Sequence, residues 1–402
     1  MAALDGLRVL DMTQYEAGTS CTQWLAWLGA DVVKVEGPTG DPGRYTGKGL
    51  NPDLPGDPQY FANYNGNKRS VVLNLKTEQG RALLLEMAPH FDVFVENYGP
   101  GVIEALKLTP DVLCRANPKL IYTRIKGFGL SGPYKDFKVY DWVAQAAAGT
   151  FSTTGEPDGP PTVVGPTMGD SGTGMQAALA IVAAYVERER TGRGQTIELS
   201  MQEAVTMFMR TADHATWTQQ PAGRHGQNRG RTGGGLYPCK GGGPNDWVFI
   251  YPATTRMLDA MWVAMDRPEL GEDPRFVDAQ ARAEHAEEMR DEITAWTRER
   301  DKRDVMMTLG SAGVPCSYVF DTHDYFTDPH LTEREFILEV DHPVNGSVKL
   351  MRHPLRMRGV VPQDRAPLLG EHTDSVLSEV LGLDEDALAV LRAEGVTLET
   401  PY

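Results

Sequence analysis

The segments Leu7-Arg-Val-Leu-Asp-Met12 and Asp31-Val-Val-Lys-Val-Glu36, separated by the helix-forming residues 20–29, decide the fold class. Each segment is a short run of aliphatic and β-branched residues, which is typical of a buried strand. Three further strands are predicted in the first third of the chain, at residues 70–75, 92–96 and 120–125. Strands that alternate with helices predict a parallel sheet covered on both faces. We therefore expect an α/β protein.

The turn after the first strand, residues 13–18, differs from the turn of dinucleotide-binding proteins. Its sequence, Thr-Gln-Tyr-Glu-Ala-Gly, contains no GxGxxG pattern. That pattern lets the backbone approach a pyrophosphate group closely. A nicotinamide cofactor is therefore not expected.

Composition narrows the class of protein further. A chain of 402 residues is long enough for two domains. The net charge of −16 argues against nucleic acid or an anionic membrane as a partner. The longest apolar run, about a dozen residues, is shorter than a membrane-spanning helix requires. Four widely spaced cysteines and an N-terminus without a signal-peptide pattern are typical of a cytoplasmic protein (Cys21, Cys114, Cys239 and Cys316).

The composition changes near residue 214. Residues 214–247 are rich in glycine, arginine and asparagine, which predicts a domain boundary and a mobile loop. Residues 255–311 are predicted to be helical, and residues 338–351 alternate as antiparallel strands do. Within these regions and beyond them, helices are predicted at residues 257–265, 281–297, 303–309, 375–381 and 385–394.

Asp170 is surrounded by small residues in the run Pro166-Thr-Met-Gly-Asp-Ser-Gly-Thr-Gly174. The segment that follows, Met175–Val186, is apolar on every face and is predicted to be a buried helix. Asp170 then lies at a helix N-terminus, where backbone N–H groups and the helix dipole favour an anion. Its carboxylate is either a helix cap or a nucleophile, and the local sequence leaves both interpretations open.

Several blocks along nearly the whole chain resemble the family III CoA-transferases. Their order and number carry the resemblance, since each block alone is common. The blocks are Gly6–Asp11, Leu25–Glu36, Asn67–Lys76, Val95–Gly101, Ile125–Gly129, Gly169–Met175 and Pro367–Thr373.

The resemblance implies an interlocked homodimer, in which each chain forms a ring through which its partner threads. It implies a Rossmann-like large domain that joins both termini, residues 1–213 and 352–402. A smaller α+β domain with linkers and a glycine loop then comes from residues 214–351. CoA, acyl-CoA and a small carboxylic acid are the implied substrates, with no metal and no permanently bound cofactor.

The resemblance also implies roles for individual residues. Asp170 is the implied nucleophile, which forms a mixed anhydride and then an aspartyl-CoA thioester. Gly234 and Gly235 belong to the glycine loop, whose N–H groups would stabilise oxyanions. Glu16 lies near the acyl group, as does Tyr60, and Lys68 belongs with Arg69 to a basic patch. The residues expected to bind CoA are Lys76, Asn97, Lys138, Tyr140, Asp141 and Arg69.

Glu16 departs from the family pattern, because oxalate-specific members carry a glutamine there. A second carboxylate beside Asp170 would repel an oxalate dianion. A small hydroxy acid or a longer dicarboxylate such as succinate is therefore a candidate acceptor, with oxalate as the family default. Gly37 and Ala105 also stand where close relatives carry arginines that contact CoA.

Two alternative functions remain open. An α-methylacyl-CoA racemase would need a histidine–aspartate pair as bases, and no histidine occurs between His90 and His214. A non-catalytic CoA-binding protein would be expected to have lost its nucleophile, whereas Asp170 and its glycine setting are present.

Overall fold

A computed structural model describes residues 1–47, 57–212, 217–228 and 233–398 of the chain. The chain divides into two compact units. The first comprises Met1–Phe151, Val163–Trp217 and Glu335–Tyr402, and the second comprises Ser152–Thr162 and Thr218–Arg334.

A six-stranded parallel sheet is the centre of the first unit. Its strands follow the order β3-β2-β1-β4-β5-β6, and every neighbouring pair is parallel. The predicted α/β class and its parallel sheet are therefore confirmed. In this order, the direction in which successive strands are added reverses between β1 and β4. Ligands of such sheets bind at this point, outside the carboxyl ends of the strands. The strands are β1 (Arg8–Met12), β2 (Asp31–Glu36), β3 (Lys68–Val72), β4 (Val93–Glu96), β5 (Ile121–Lys126) and β6 (Thr196–Ser200).

Helices cover both faces of this sheet. One core contains Leu10, Phe94 and Tyr122 beneath the helix after β3, and the other contains Val9, Leu25 and Ile181 on the opposite face. The helices of this part of the chain are α1 (Ala17–Trp27), α2 (Gln59–Asn65), α3 (Glu78–Met87), α4 (Val102–Leu106), α5 (Pro110–Ala116), α6 (Asp141–Ala147), α7 (Ser171–Thr191) and α8 (Met201–Thr206).

The second unit combines a three-stranded antiparallel sheet with helices. The helix predicted over residues 281–297 is two helices, because His285 leaves the helical conformation between them. The elements are β7 (Gly235–Pro238), β8 (Trp247–Ile250), α9 (Thr255–Ala264), α10 (Ala279–Glu284), α11 (Ala286–Thr297), α12 (Lys302–Ser311), β9 (Cys316–Tyr318), α13 (Asp324–Thr327) and α14 (Pro329–Glu333).

The chain then returns to the first unit. The antiparallel hairpin β10 (Ile337–His342) and β11 (Gly346–Met351) precedes α15 (Thr373–Leu381) and α16 (Glu385–Ala393). Val348 and Leu350 of β11 pack with Ala62 of α2, so contacts group this hairpin with the first unit, whereas the sequence assigned it to the smaller domain. The other predicted boundary, at residues 213 and 214, lies outside the described residues.

Helix α7 is only partly buried, so the prediction that it is buried on every face was wrong for the single chain. Ala177, Ile181 and Ala184 face the core. Met175, Leu179 and Val186 are 46%, 70% and 52% exposed. The helix packs against α1 and also contacts α8, β5 and β6, and within the described residues these three side chains stay exposed. Within the described residues, no helix is long and apolar enough to cross a membrane.

Candidate active site

Two loops meet at the carboxyl ends of β1 and β4. The side chain of Asn97, after β4, accepts the Gln14 N–H and donates to the Gln14 carbonyl, both at 2.8 Å. Asn97 thus fixes the turn after β1, at the position where the strand order predicts a ligand crevice.

A cavity of about 460 Å³ opens at this edge of the sheet. It lies entirely within the first unit. Polar, aromatic and basic side chains line it, among them Gln14, Tyr15, Asn97, Lys126, Lys135, Lys138, Tyr140 and Asp170.

Asp170 occupies the N-cap position of α7, yet its carboxylate accepts no hydrogen bond from the helix N–H groups. The backbone N–H of Asp170 donates instead to Asp141 Oδ1 at 3.0 Å. The preceding residue must be glycine, because a Cβ at Gly169 would lie 2.6 Å from the Asp141 carbonyl oxygen. The side chain of Asp170 is therefore held at the cavity without being used as a cap, which favours the nucleophile interpretation.

Burial and two neighbouring carboxylates change the acidity of Asp170. Burial, then the charge of Glu16, then that of Asp141, raise the pKa of Asp170 from 3.8 to about 8. Each of these causes destabilises the ionised form. An ionised Asp170 is consequently a stronger base and nucleophile than an ordinary aspartate.

Glu16 lies immediately before α1 and is 2% exposed. Its Oε1 accepts hydrogen bonds from Thr167 Oγ1 at 2.5 Å and from Ser171 Oγ at 2.6 Å. These two donors flank Asp170 in sequence, so Glu16 holds the turn that carries it. Burial raises the pKa of Glu16, and the hydroxyl donors oppose that effect.

Tyr60 also lies beside these carboxylates. Burial and the charges of Glu16 and Asp170 raise the pKa of Tyr60. Its phenol therefore keeps its proton and is a hydrogen-bond donor beside Glu16 and Asp170.

The structure places four of the residues predicted from the sequence, Asp170 among them, in the wall of this cavity. Asn97, Lys138 and Tyr140 line it, and Asp141 accepts the Asp170 N–H. The Tyr140 ring meets Tyr15 edge-on, with 6.0 Å between ring centroids.

Three predicted basic residues do not lie at the cavity. Arg69 pairs with Asp31 at 2.5 Å and with Glu379 at 2.8 Å. Lys68 is buried and donates to Asp11 Oδ2 at 3.1 Å. Lys76 is exposed in the turn before α3 and is absent from the cavity wall. The proposed basic patch of Lys68 and Arg69 was therefore misplaced, because ion pairs inside the first unit occupy both side chains.

The predicted glycine loop lies in the second unit. Gly233 has a φ of +72°, and Gly234 follows it. Gly235 is buried and begins β7, where a Cβ would lie 2.6 Å from the Gln227 carbonyl oxygen. Its lack of a side chain thus has a packing reason as well as the proposed catalytic one.

Sequence reasoning missed several side chains of the site. Lys135 lies three residues before Lys138, and this spacing in a loop was available as an indication of a basic cluster. Lys126 Nζ donates to Glu96 Oε2 at 2.7 Å and to the Tyr98 carbonyl oxygen at 2.6 Å, and these bonds stabilise the cavity wall. Tyr15 has a φ of +59°, and nothing in the sequence indicated that conformation.

The cysteines are poorly suited to nucleophilic attack. Burial raises the pKa of the Cys21 thiol, and burial with Asp246 and Asp301 raises that of Cys239 to about 11. None of the residues lining the described cavity is a histidine, which disfavours the racemase alternative.

Comparison with known proteins assigns the family. The sequence model of CoA-transferase family III matches residues 4–373. The chain belongs to CoA-transferase family III. It is a CoA-transferase, and acyl-CoA thioesters are the substrates of such enzymes.

Relatives in bacteria match over almost their full length. The chain is 41% identical to a formyl-CoA:oxalate CoA-transferase of Streptomyces avermitilis, over 98% of this chain and 99% of the relative. It is 37% identical to a protein of the same name from Escherichia coli, over 97% of this chain and 98% of the relative.

Solved structures share the fold. A CAIB/BAIF family protein from Brucella suis superposes with a TM-score of 0.84 at 29% identity, covering 94% of this chain and 99% of that protein. Rv3272 from Mycobacterium tuberculosis gives a TM-score of 0.78 at 28% identity, covering 93% of this chain and 98% of that protein.

Proposed function

We propose that the enzyme transfers CoA through covalent intermediates on Asp170. The observation that carries this proposal is a carboxylate at a cavity wall that makes no cap hydrogen bond and whose pKa is raised to about 8. A carboxylate of raised basicity that is held in place is suited to attack a thioester carbonyl.

The exchange takes four steps. Asp170 attacks the thioester carbonyl, the C–S bond breaks, and an aspartyl–acyl anhydride and the CoA thiolate form. The thiolate attacks the aspartyl carbonyl, which releases the donor acid and leaves an aspartyl-CoA thioester. An acceptor carboxylate attacks this thioester and forms a second anhydride with release of the thiolate. The thiolate then attacks the acceptor's acyl carbon and restores Asp170.

The residues around Asp170 suit these steps. Tyr60, as a neutral phenol, donates to an oxyanion that forms near the carboxylates. Gly234 and Gly235 of the second unit are proposed as further backbone donors. Lys135 and Lys138 are exposed at the cavity and provide positive charge for the CoA phosphates in a chain of net charge −16.

Two observations bear on the identity of the acceptor acid: the names of the relatives and the charge of Glu16. Those names favour a formyl-CoA and oxalate type of exchange. Glu16 adds a buried negative charge beside Asp170 and disfavours a small dianion. A small hydroxy acid or a longer dicarboxylate such as succinate, with succinyl-CoA as a donor, is the alternative that Glu16 supports. Mass spectrometry on a matrix of acyl-CoA donors and carboxylic acids identifies the pair.

Covalent labelling tests the nucleophile. Incubation with acyl-CoA and no acceptor should leave mass on Asp170, and hydroxylamine should then modify that residue. Asp170→Asn should carry no label and should lack transfer activity while keeping the fold. A label on Cys239 instead, or transfer by a folded Asp170→Asn protein, would sink the mechanism.

A further inference from the structure

The turn of Thr13, Gln14 and Tyr15 is held in an unfavourable backbone conformation. Tyr15 has a φ of +59°, in the left-handed region that large side chains rarely adopt. Such a conformation persists only where the surroundings hold it, and it is concentrated at functional sites.

A buried ion pair holds two backbone groups of this turn. Lys34 Nζ donates to the Thr13 carbonyl oxygen at 2.8 Å. Asp41 Oδ1 accepts the Tyr15 N–H at 3.1 Å. The two side chains meet at 2.8 Å, and they are 0% and 1% exposed. Lys34 and Asp41 therefore bind the residues on either side of Gln14, and Asn97 binds Gln14 itself.

The turn supplies two parts of the active site. Tyr15 forms part of the cavity wall that also includes Asp170. Glu16, the next residue, accepts hydrogen bonds from Thr167 and Ser171, which flank Asp170. A change in the conformation of the turn would thus be passed on to the wall and to the loop that carries the nucleophile.

We propose that Lys34 and Asp41 are positioning residues, which hold Tyr15 in its left-handed conformation and thereby place Glu16 against the Asp170 loop. The link to catalysis rests on the proposed function of Asp170. The link to the turn rests on the contacts alone.

Fold stability is a weak explanation for this ion pair. Buried ion pairs can often be replaced by apolar side chains of similar size without loss of stability. Burial opposes the charge on Lys34, but Asp41, Asp11 and Glu36 outweigh it and raise the pKa of Lys34. Lys34 therefore stays ionised and keeps its hydrogen bond to the Thr13 carbonyl oxygen.

The test removes the pair as a unit with Lys34→Met/Asp41→Leu. Asp41→Asn is the second variant, because it keeps an acceptor for the Tyr15 N–H if the double variant fails to fold. Arg188→Met is the matched control, since it removes a cation of α7 that is 9% exposed and pairs with Asp92, away from the turn. Each protein is measured by amide hydrogen exchange of peptides spanning residues 13–17 and by kcat and KM for acyl-CoA.

We expect the double variant to lose protection over residues 13–17 at least tenfold and Asp41→Asn to lose less. We expect kcat of the double variant to fall about 10- to 100-fold, since a displacement of the reacting groups by about 1 Å has an effect of this size. The Arg188→Met control should keep both the protection and kcat. Unchanged protection in the double variant, or equal losses in the control, would overturn the inference.

A glycine at position 15 separates positioning from general damage. Glycine adopts positive φ without support, so a turn that carries Tyr15→Gly no longer needs the ion pair to reach this conformation. The kcat loss caused by removing the pair should then be less than threefold relative to Tyr15→Gly alone. Equal losses with and without Tyr15→Gly would contradict the positioning role. If acyl-CoA leaves no label on Asp170 of the native protein, the proposed function fails, whereas the exchange data still decide whether the pair holds the turn.

Discussion

Asp170 and Glu16 set the acid–base behaviour of the site at the scale of single residues. Attack on a thioester needs ionised Asp170, whose pKa is about 8. We expect kcat/KM for acyl-CoA to rise with pH and to level off above about 8. Glu16→Gln removes a charge that raises this pKa, so the rise should move to lower pH. Because Asp170, Glu16 and Asp141 interact, the midpoint belongs to the group of carboxylates.

Measured pH profiles of wild type and Glu16→Gln decide this prediction. Glu189→Gln is the matched control, as an exposed glutamate near the far end of α7. Glu16→Gln should also raise kcat/KM for oxalate relative to other acceptors, because one negative charge beside the nucleophile is gone. An unshifted profile together with an unchanged acceptor ratio would show that Glu16 does not act on the site electrostatically.

Ionisation of Asp170 should lower the free energy of unfolding of the protein. Its folded pKa, about 8, exceeds the ordinary value of 3.8, so the folded state binds more protons between these limits. Stability from this group is present below about pH 4 and is lost as the pH rises to about 8. Each pKa unit corresponds to about 1.4 kcal/mol, so the loss in the free energy of unfolding is at most about 6 kcal/mol. Partial contact of Asp170 with solvent reduces this value. Asp170→Asn should therefore stabilise the protein by on the order of 2 kcal/mol at pH 8 and by little at pH 4.

Urea unfolding at pH 4, 6 and 8 measures that difference. Asp111→Asn, which changes an exposed aspartate in the first turn of α5, is the control and should show no such dependence on pH. A gain for Asp170→Asn that is the same at all three values would show that the pKa of Asp170 is not raised in the folded protein.

At the scale of elements, the loop before α6 presents two exposed lysines to the cavity. Among the described residues, neither Lys135 nor Lys138 lies in an ion pair with an acidic side chain, and both are exposed. We expect Lys135→Ala/Lys138→Ala to raise KM for acyl-CoA about tenfold or more, with kcat little changed, since phosphate contacts are the same in ground and transition states. The salt dependence of KM should weaken as well. Lys119→Ala, an exposed lysine before β5, is the control, and an equal change in KM there would contradict the assignment.

Elements were predicted well where their sequence pattern is local. The strand at Asp31–Glu36 has the predicted limits. Strand β6, Thr196–Ser200, was missed because it lies at the sheet edge and alternates polar residues. The break at His285 was missed because the residues on both sides favour helix.

The site was predictable only in part, for a physical reason. Asp170 could be found because glycines and an apolar helix surround it in the sequence. Arg69 and Lys68 were misplaced because a sequence does not show which acid, Asp31 or Asp11, a basic residue meets in space. The left-handed Tyr15 depends on partners from three distant segments, so no local pattern indicates it.

At the scale of the whole molecule, the apolar surface of the first unit bears on assembly. The exposed large apolar side chains of α6, α7 and the segment directly after α8 include Trp142, Val143, Met175, Leu179, Val186, Met207 and Phe208. An exposed apolar surface of this kind is typical of a protein interface. In the interlocked homodimer implied by the family resemblance, a second copy of this chain would cover this apolar surface.

We predict an obligate dimer without a stable folded monomer, because threading makes folding and association one process. Sedimentation at falling protein concentration, combined with circular dichroism, should show dimer giving way directly to unfolded chain. Leu179→Glu, at a side chain that is 70% exposed, should lower the dimer's stability, since burying a charge without a partner is costly. Val390→Glu on α16, 52% exposed, is the matched control and should leave assembly unchanged. A folded monomer in equilibrium with dimer would contradict threading, and an unaffected Leu179→Glu dimer would place the interface elsewhere.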